Sequence, residues 1–192
     1  SAWLKAHHPA SFLAGVLTHD PGMYPKRLIL DDARQFGVSV LPVDVNHSYP
    51  GYRVERVQVL DTDVDLPPRR VSPRVDPDAS RRRGVLDQPV LPDARGYGIR
   101  IALSEVKGIS EAEVERIVAG QPYRSLTDFW HRAAVSRPVV ERLVVAGAFD
   151  DLHGIDLSLP QASARRRVTR RDLLLQVAEL DRWTAMPASR RS

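Results

Sequence analysis

Apolar positions recur at helical spacing through the first 37 residues. Phe12, Leu13, Val16 and Leu17 form one stripe, and Pro9 is tolerated in the first turn of that helix. Trp3 and Leu4 precede Pro9, so a separate helix is expected to end near His7 or His8, because the residue before a proline is pushed away from helical backbone. A third helix has Pro25 in its first turn, carries Leu28, Ile29, Ala33 and Phe36 at burial spacing, and closes on Gly37, which suits the left-handed position after a helix. Val38, Val40, Leu41, Val43 and Val45 then read as extended, with Pro42 confining any strand there to a sheet edge. The period changes to two for Val54, Val57 and Val59, a strand near 52–60, and for Tyr97, Ile99, Ile101 and Leu103, a second strand able to pair with it.

Between those strands the pattern fails. Residues 61–95 hold six prolines (67, 68, 73, 77, 89 and 92), are dense in Asp and Arg, and contain no aromatic residue. Such a composition cannot repay ordering entropy, which predicts a disordered insertion. Short punctuated helices return afterwards. Ser125 with Asp128 resembles a capping box ahead of Leu126, Phe129 and Trp130. Pro138 opens a helix through Val139, Val140, Leu143 and Val144 that Gly147 closes. Residues 153–168 read as linker. Thr169 with Asp172 caps a final amphipathic helix bearing Leu173, Leu174, Val177 and Leu180, whose face Trp183 extends, and Pro187 to Ser192 are expected to fray.

The most specific stretch runs from Leu103 to Gly120. Ser110 can cap a helix with Glu113 at the third position, Ile109 and Val114 form the two ends of a hydrophobic staple, and Gly108 supplies unrestricted backbone before the cap. The pattern is helix, tight glycine turn, helix: a helix–hairpin–helix. In such a hairpin the N–H groups of the turn and of the helix N-terminus can converge on one phosphate, with the helix dipole favouring negative charge and Lys107 adding a point charge. No base edge would be read, so binding would be independent of sequence and sensitive to salt. The competing reading is a hairpin that only packs. Residues 99–119 sum to −1, with Arg100, Lys107 and Arg116 against Glu105, Glu111, Glu113 and Glu115, so the local charge does not help the first reading.

The blocks at 1–12 (SAWLKAHHPASF), 32–38 (DARQFGV), 41–46 (LPVDVN), 98–109 (GIRIALSEVKGI) and 144–150 (VVAGAFD) resemble bacterial C-family DNA polymerases, the alpha subunits of polymerase III and their error-prone relatives. They occur in the family's order, and the first two lean towards the error-prone, repair-associated branch. The resemblance implies the end of the fingers region followed by tandem helix–hairpin–helix elements, the second a degenerate one around Val135 to Phe149. It also implies a DNA-directed DNA polymerase as the parent protein, with catalysis by palm carboxylates holding two magnesium ions. Those carboxylates lie upstream of residue 1 in the family order, so this stretch is expected to grip DNA and to carry no catalytic residue. Lys5 lies in a block that the family places near DNA and the incoming nucleotide; a phosphate contact and a solvated helix lysine are both open. The organisation expected is a helical end of the fingers (1–50), a small β element interrupted at 61–95 (51–103), tandem helix–hairpin–helix (104–152), and a linker with a basic C-terminal helix (153–192). The fold class is mainly α with a small antiparallel β element.

Composition narrows the alternatives. The chain has 192 residues, no cysteine, no run of about 18 apolar residues and no signal-peptide pattern, which fits a cytoplasmic protein without disulfides or thiol catalysis. Net charge is +4, but residues 161–192 carry eight Arg against three acids, so the basic excess sits in the tail. The arginine runs 81–83 and 165–167 read as footholds for a strand or as solvated linker. Asp61, Asp63 and Asp65 start like a calcium loop, yet Leu66 replaces the required glycine and Ser72 the required glutamate. The six histidines lack i, i+4 ligand spacing, the pairs Asp31–Asp32 and Asp150–Asp151 point apart on a helix, and no metal site is expected. The primary partner is primer–template DNA, through Lys107, Gly108, Ile109, Ser110 and Lys5. The alternative function is a structural or protein-interaction module of a repair or replication assembly that docks on a sliding clamp or another factor. A stand-alone nuclease would need a carboxylate cluster that the sequence does not offer.

Overall fold

A computed structural model describes residues 2–19, 25–57, 94–155 and 168–185. The expected disordered insertion, apart from its last two residues, lies outside them. So do the calcium-like loop, both arginine runs, most of the 153–168 linker and the chain terminus from Pro187. Eight helices and three strands are present among the described residues, in two compact units: Ser1–Val40 with Val54–Ile99, and Leu41–Arg53 with Arg100–Ser192.

The first unit begins with α1 (Ala2–His7), α2 (Pro9–His19) and α3 (Lys26–Gln35). Pro9 opens α2, where its missing N–H leaves no bond unmade, and Ala10, Leu13, Ala14 and Leu17 form the buried stripe. Pro25 stands at the N-cap of α3, one residue ahead of the expected first turn. At the other end Gly37 has φ +78°, its N–H donates to the Arg34 carbonyl, and Val38 N–H reaches back to Ala33, a complete Schellman closure. Ala33 is fully buried with Ile29, Leu30 and Phe36 beside it, whereas Leu28 is 49% exposed. Leu28 stands one residue, about 100°, off that buried row.

Strands β1 (Ser39–Leu41), β2 (Arg53–Arg56) and β3 (Tyr97–Arg100) form a sheet in the order β1-β3-β2. The Val57 N–H donates to the Gly96 carbonyl, which sets β2 and β3 antiparallel as the sequence pattern predicts. At the other side Ala94 N–H pairs with Phe36 O and Ile101 N–H with Leu41 O, so β1 lies parallel to β3 and the sheet is mixed. β1 is an edge strand, as Pro42 requires. The second strand stops at Arg100, short of the expected Leu103, because the Ile101 carbonyl accepts from Ser48 Oγ and the Leu103 N–H donates to Tyr49 O. Leu103 instead opens a 3-10 turn, Leu103–Glu105.

The second unit holds α4 (Glu111–Gly120), α5 (Leu126–Ala133), α6 (Arg137–Ala146), α7 (Asp150–His153) and α8 (Arg170–Ala185). Its core is aromatic at the centre: Phe129 meets Tyr123 and Phe149 edge-on, at centroid distances of 4.8 and 5.1 Å. Ile117, Leu126, Val140 and Leu143 close round them, and α8 seats Leu173 and Val177 on the same cluster. Trp183 falls outside that row and is 59% exposed. The Val43–Ser48 loop is pinned to this unit by reciprocal bonds between the Asn46 amide and the Tyr123 backbone, 2.9 and 2.7 Å, and by Gln121 Nε2 donating to Val45 O and Ser48 O.

Candidate nucleic-acid interface

The predicted hairpin is present, with the 3-10 turn in place of a first α-helix. Gly108 takes φ +78°, a backbone that a side chain rarely adopts. Ser110 is the N-cap of α4: its hydroxyl accepts from the Glu113 N–H, and Glu113 Oε2 accepts from the Ser110 N–H at 2.9 Å. The staple forms as expected, with Val114 buried and Ile109 packed on the core. The turn amides divide into two sets. Ile109 donates to Val106 O and Ser110 to Glu113, so both are committed within the hairpin. Among the described residues the N–H groups of Gly108, Glu111 and Ala112 have no acceptor, and the latter two are first-turn amides of α4, the end of a helix that can take an anion.

A second hairpin follows, with a positive-φ glycine at its turn but no side-chain cap on its four-residue second helix. α6 ends at Gly147, φ +86°, and the Ala148 N–H returns to Leu143 O before α7 begins. Each turn is braced by an arginine. Arg142 Nη1 donates to the Lys107 carbonyl at 2.6 Å beside Gly108, and Arg170 Nη1 donates to Val145 O at 3.0 Å beside Gly147. Their electrostatics differ. Arg170 is ion-paired with Asp150, whereas Arg142 and Lys107 are exposed and have no carboxylate partner among the described residues. The arginine at the Gly147 turn is therefore neutralised by Asp150, whereas at the Gly108 turn Lys107 and Arg142 both lack a carboxylate partner among the described residues.

Glu113 ties the hairpins together. It is 7% exposed, and besides serving Ser110 its Oε1 accepts the Ser136 N–H, at 2.9 Å, at the start of α6. Burial alone would raise its pKa; the hydrogen bonds from Ser110 and Ser136 outweigh that and lower it from 4.5 to about 2. The glutamate that counted against DNA in the sequence is thus withdrawn into the fold. Glu111 and Glu115 stay exposed.

The structure brings Lys107, Gly108, Ile109 and Ser110 together on one turn. Lys5 belongs to the other unit, where its ammonium pairs with Asp32 at 3.0 Å and lies 5.2 Å from the Phe36 ring centroid. One group has no spacing signal in the sequence: Asp44, His47 and Asp151 bring one ligand atom each within 4.8 Å of one another. Asp44 Oδ1 there accepts from the N–H groups of Asn46 and His47 and from His47 Nδ1, so it builds a turn. Arg142 and the second contact of Glu113 were also missed; neither has a local sequence signal. No helix among the described residues is long and apolar enough to cross a membrane.

A family model described as the helix-hairpin-helix motif matches residues 37–156. That is more than half of the chain, which therefore belongs to the helix-hairpin-helix motif family. The chain is also similar to proteins named error-prone DNA polymerase. It is 36% identical over 159 residues to that of Sinorhizobium medicae (strain WSM419), covering 81% of this chain and 13% of the relative. Those of Azoarcus sp. (strain BH72) and Symbiobacterium thermophilum are 36% and 35% identical, over 80% of this chain and 12% and 13% of their own lengths. The resemblance to the error-prone branch of the C-family polymerases is thus borne out, and the chain spans about an eighth of those relatives.

Proposed function

We propose that this chain is a DNA-gripping part of an error-prone, repair-associated DNA polymerase, acting in the cytoplasm and holding the phosphate backbone of a primer–template without reading sequence. The observation that carries this reading is the head of α4: a positive-φ glycine, amides at Gly108, Glu111 and Ala112 and the Lys107 ammonium that have no partner among the described residues, all close in sequence. An anion there would meet backbone donors, the positive end of the helix dipole and an ammonium group at once.

In the same reading the parent protein transfers a nucleotide from a deoxynucleoside triphosphate to a primer 3′ end, with two magnesium ions stabilising the transferring phosphoryl group. The residues described here do not fit such a centre. The Asp44, His47 and Asp151 group has its most buried carboxylate engaged by three donors, and it offers no pair of carboxylates bridging two ions. Chemistry is assigned to other parts of the parent, and this chain is expected to show no primer extension with magnesium and all four triphosphates.

The test is binding of a labelled primer–template by fluorescence anisotropy across a salt series, for the wild type and Lys107→Ala. The affinity of the variant should fall by about fivefold on any sequence, and its log–log salt slope should become shallower by about 0.9. Unaltered affinity and slope would reject the hairpin as the grip. A docking role predicts instead capture of a sliding clamp that requires no DNA.

A further inference from the structure

We propose that Arg142 is a second phosphate-binding residue of the first hairpin, acting beside Lys107. The inference rests on the DNA-binding reading above and extends it to α6, which lies outside the first hairpin. Arg142 stands on α6, 35 residues from the turn in sequence, and its Nη1 donates to the Lys107 carbonyl at 2.6 Å. The guanidinium lies over Gly108: a Cβ there would fall 2.5 Å from Nη1 and 3.5 Å from Cζ. Glycine at 108 therefore serves two ends, a left-handed backbone and the space in which the arginine sits.

One hydrogen bond to a carbonyl occupies one of five guanidinium donors. The rest of the fork has no partner among the described residues, and the side chain is exposed. The molecule supplies its own contrast. Arg170 makes a similar contact near Gly147, donating to the Val145 carbonyl, but its Nε and Nη2 are paired with Asp150. Arg132 and Arg137 are likewise paired with Asp128 and with Glu141 and Asp181. Arg142 is held in place by a carbonyl, which orients it without cancelling its charge. A planar fork fixed against the Lys107–Gly108 turn matches a phosphodiester, which accepts two parallel N–H bonds.

The experiment uses the full chain and a labelled primer–template in anisotropy across a salt series, with thermal melts of every variant. Arg142→Gln should weaken binding about three- to tenfold at about 0.1 M salt, equally on unrelated sequences, with the log–log slope shallower by about 0.9. Combined with Lys107→Ala, the slope change should be about twice that of either alone. Arg142→Lys should keep the wild-type slope and recover only part of the affinity, since the point charge is retained and the fork is lost. Arg182→Gln removes the same charge from α8 and should leave the slope unchanged. An Arg142→Gln variant that melts like the wild type and keeps its slope overturns the proposal. If that variant melts early, the Lys variant decides: a shallower slope for Arg142→Lys overturns it too. Failure of the wild type to bind, or no effect of Lys107→Ala, would instead strike the DNA reading itself.

Discussion

Glu113→Gln removes one charge at the point where two hairpins meet, and its effect can be worked out from the hydrogen bonds it breaks. The carboxylate accepts from Ser110 N at 2.9 Å, Ser110 Oγ at 2.8 Å and Ser136 N at 2.9 Å. An amide in its place retains one acceptor and turns two N–H groups towards donors. Hydrogen bonds to a charged acceptor contribute about 1.5–3 kcal/mol each and do not add in full. Independently, lowering the pKa from 4.5 to about 2 corresponds to about 3 kcal/mol at 1.36 kcal/mol per pH unit. We expect a loss of about 2–3 kcal/mol of unfolding free energy at pH 7, or about 5–10 °C in melting temperature. The sign of the pH dependence follows from the direction of the shift. The unfolded glutamate takes up a proton first as pH falls below 4.5, while the folded one stays ionised down to about 2. The contribution is complete above pH 4.5 and disappears progressively between 4.5 and 2. Urea unfolding of wild type and variant at pH 7, 5 and 3 should show a constant gap at the first two values and a smaller one at the third. A gap below about 0.5 kcal/mol at pH 7, or one as wide at pH 3 as at pH 7, would refute the double-capping role.

Three further outcomes are expected. Gly108→Val places a branched side chain at φ +78° and drives it into Arg142, so chemical denaturation should show a loss of about 2 kcal/mol or more, together with weaker DNA binding. His153 carries a buried Nε2 without a partner, and burial lowers its pKa below 6.5, so the fold favours the neutral ring. Its stabilising share is present above pH 6.5 and is lost as pH falls through the lowered folded value; melting curves of His153→Leu should be flatter than wild type over pH 7 to 5. Phe129→Ala opens the aromatic centre of the second unit and should cost about 3–5 kcal/mol by thermal or urea unfolding, with α4 to α8 melting together.

What could be read from the sequence was local. Ser110 with Glu113, Ile109 with Val114, Gly37, Gly108 and Gly147 each act within a few residues, and each stands where the spacing predicts. The antiparallel pairing of β2 with β3 followed from alternation; the parallel seat of β1 did not, since it depends on how a connection closes over distance. The candidate interface was half legible for the same reason. Lys107 and Gly108 belong to a motif of adjacent residues, whereas the Arg142 side chain reaches the Lys107 carbonyl from 35 residues away and the Glu113 carboxylate accepts the Ser136 N–H from 23 residues away. Leu28 and Trp183 show the limit of apolarity as a guide to burial, because each lies off the row its own helix turns inward.

If DNA meets the Gly108 turn as proposed, amide chemical shifts report the contact directly. In 1H–15N spectra of the labelled chain, titration with two short duplexes of unrelated sequence should move the Gly108, Glu111 and Ala112 cross-peaks in the same way for both. The shifts should reverse at about 0.5 M salt, where phosphate contacts are screened. Duplex binding that leaves those three amides in place while moving α8 or the first unit would contradict the account.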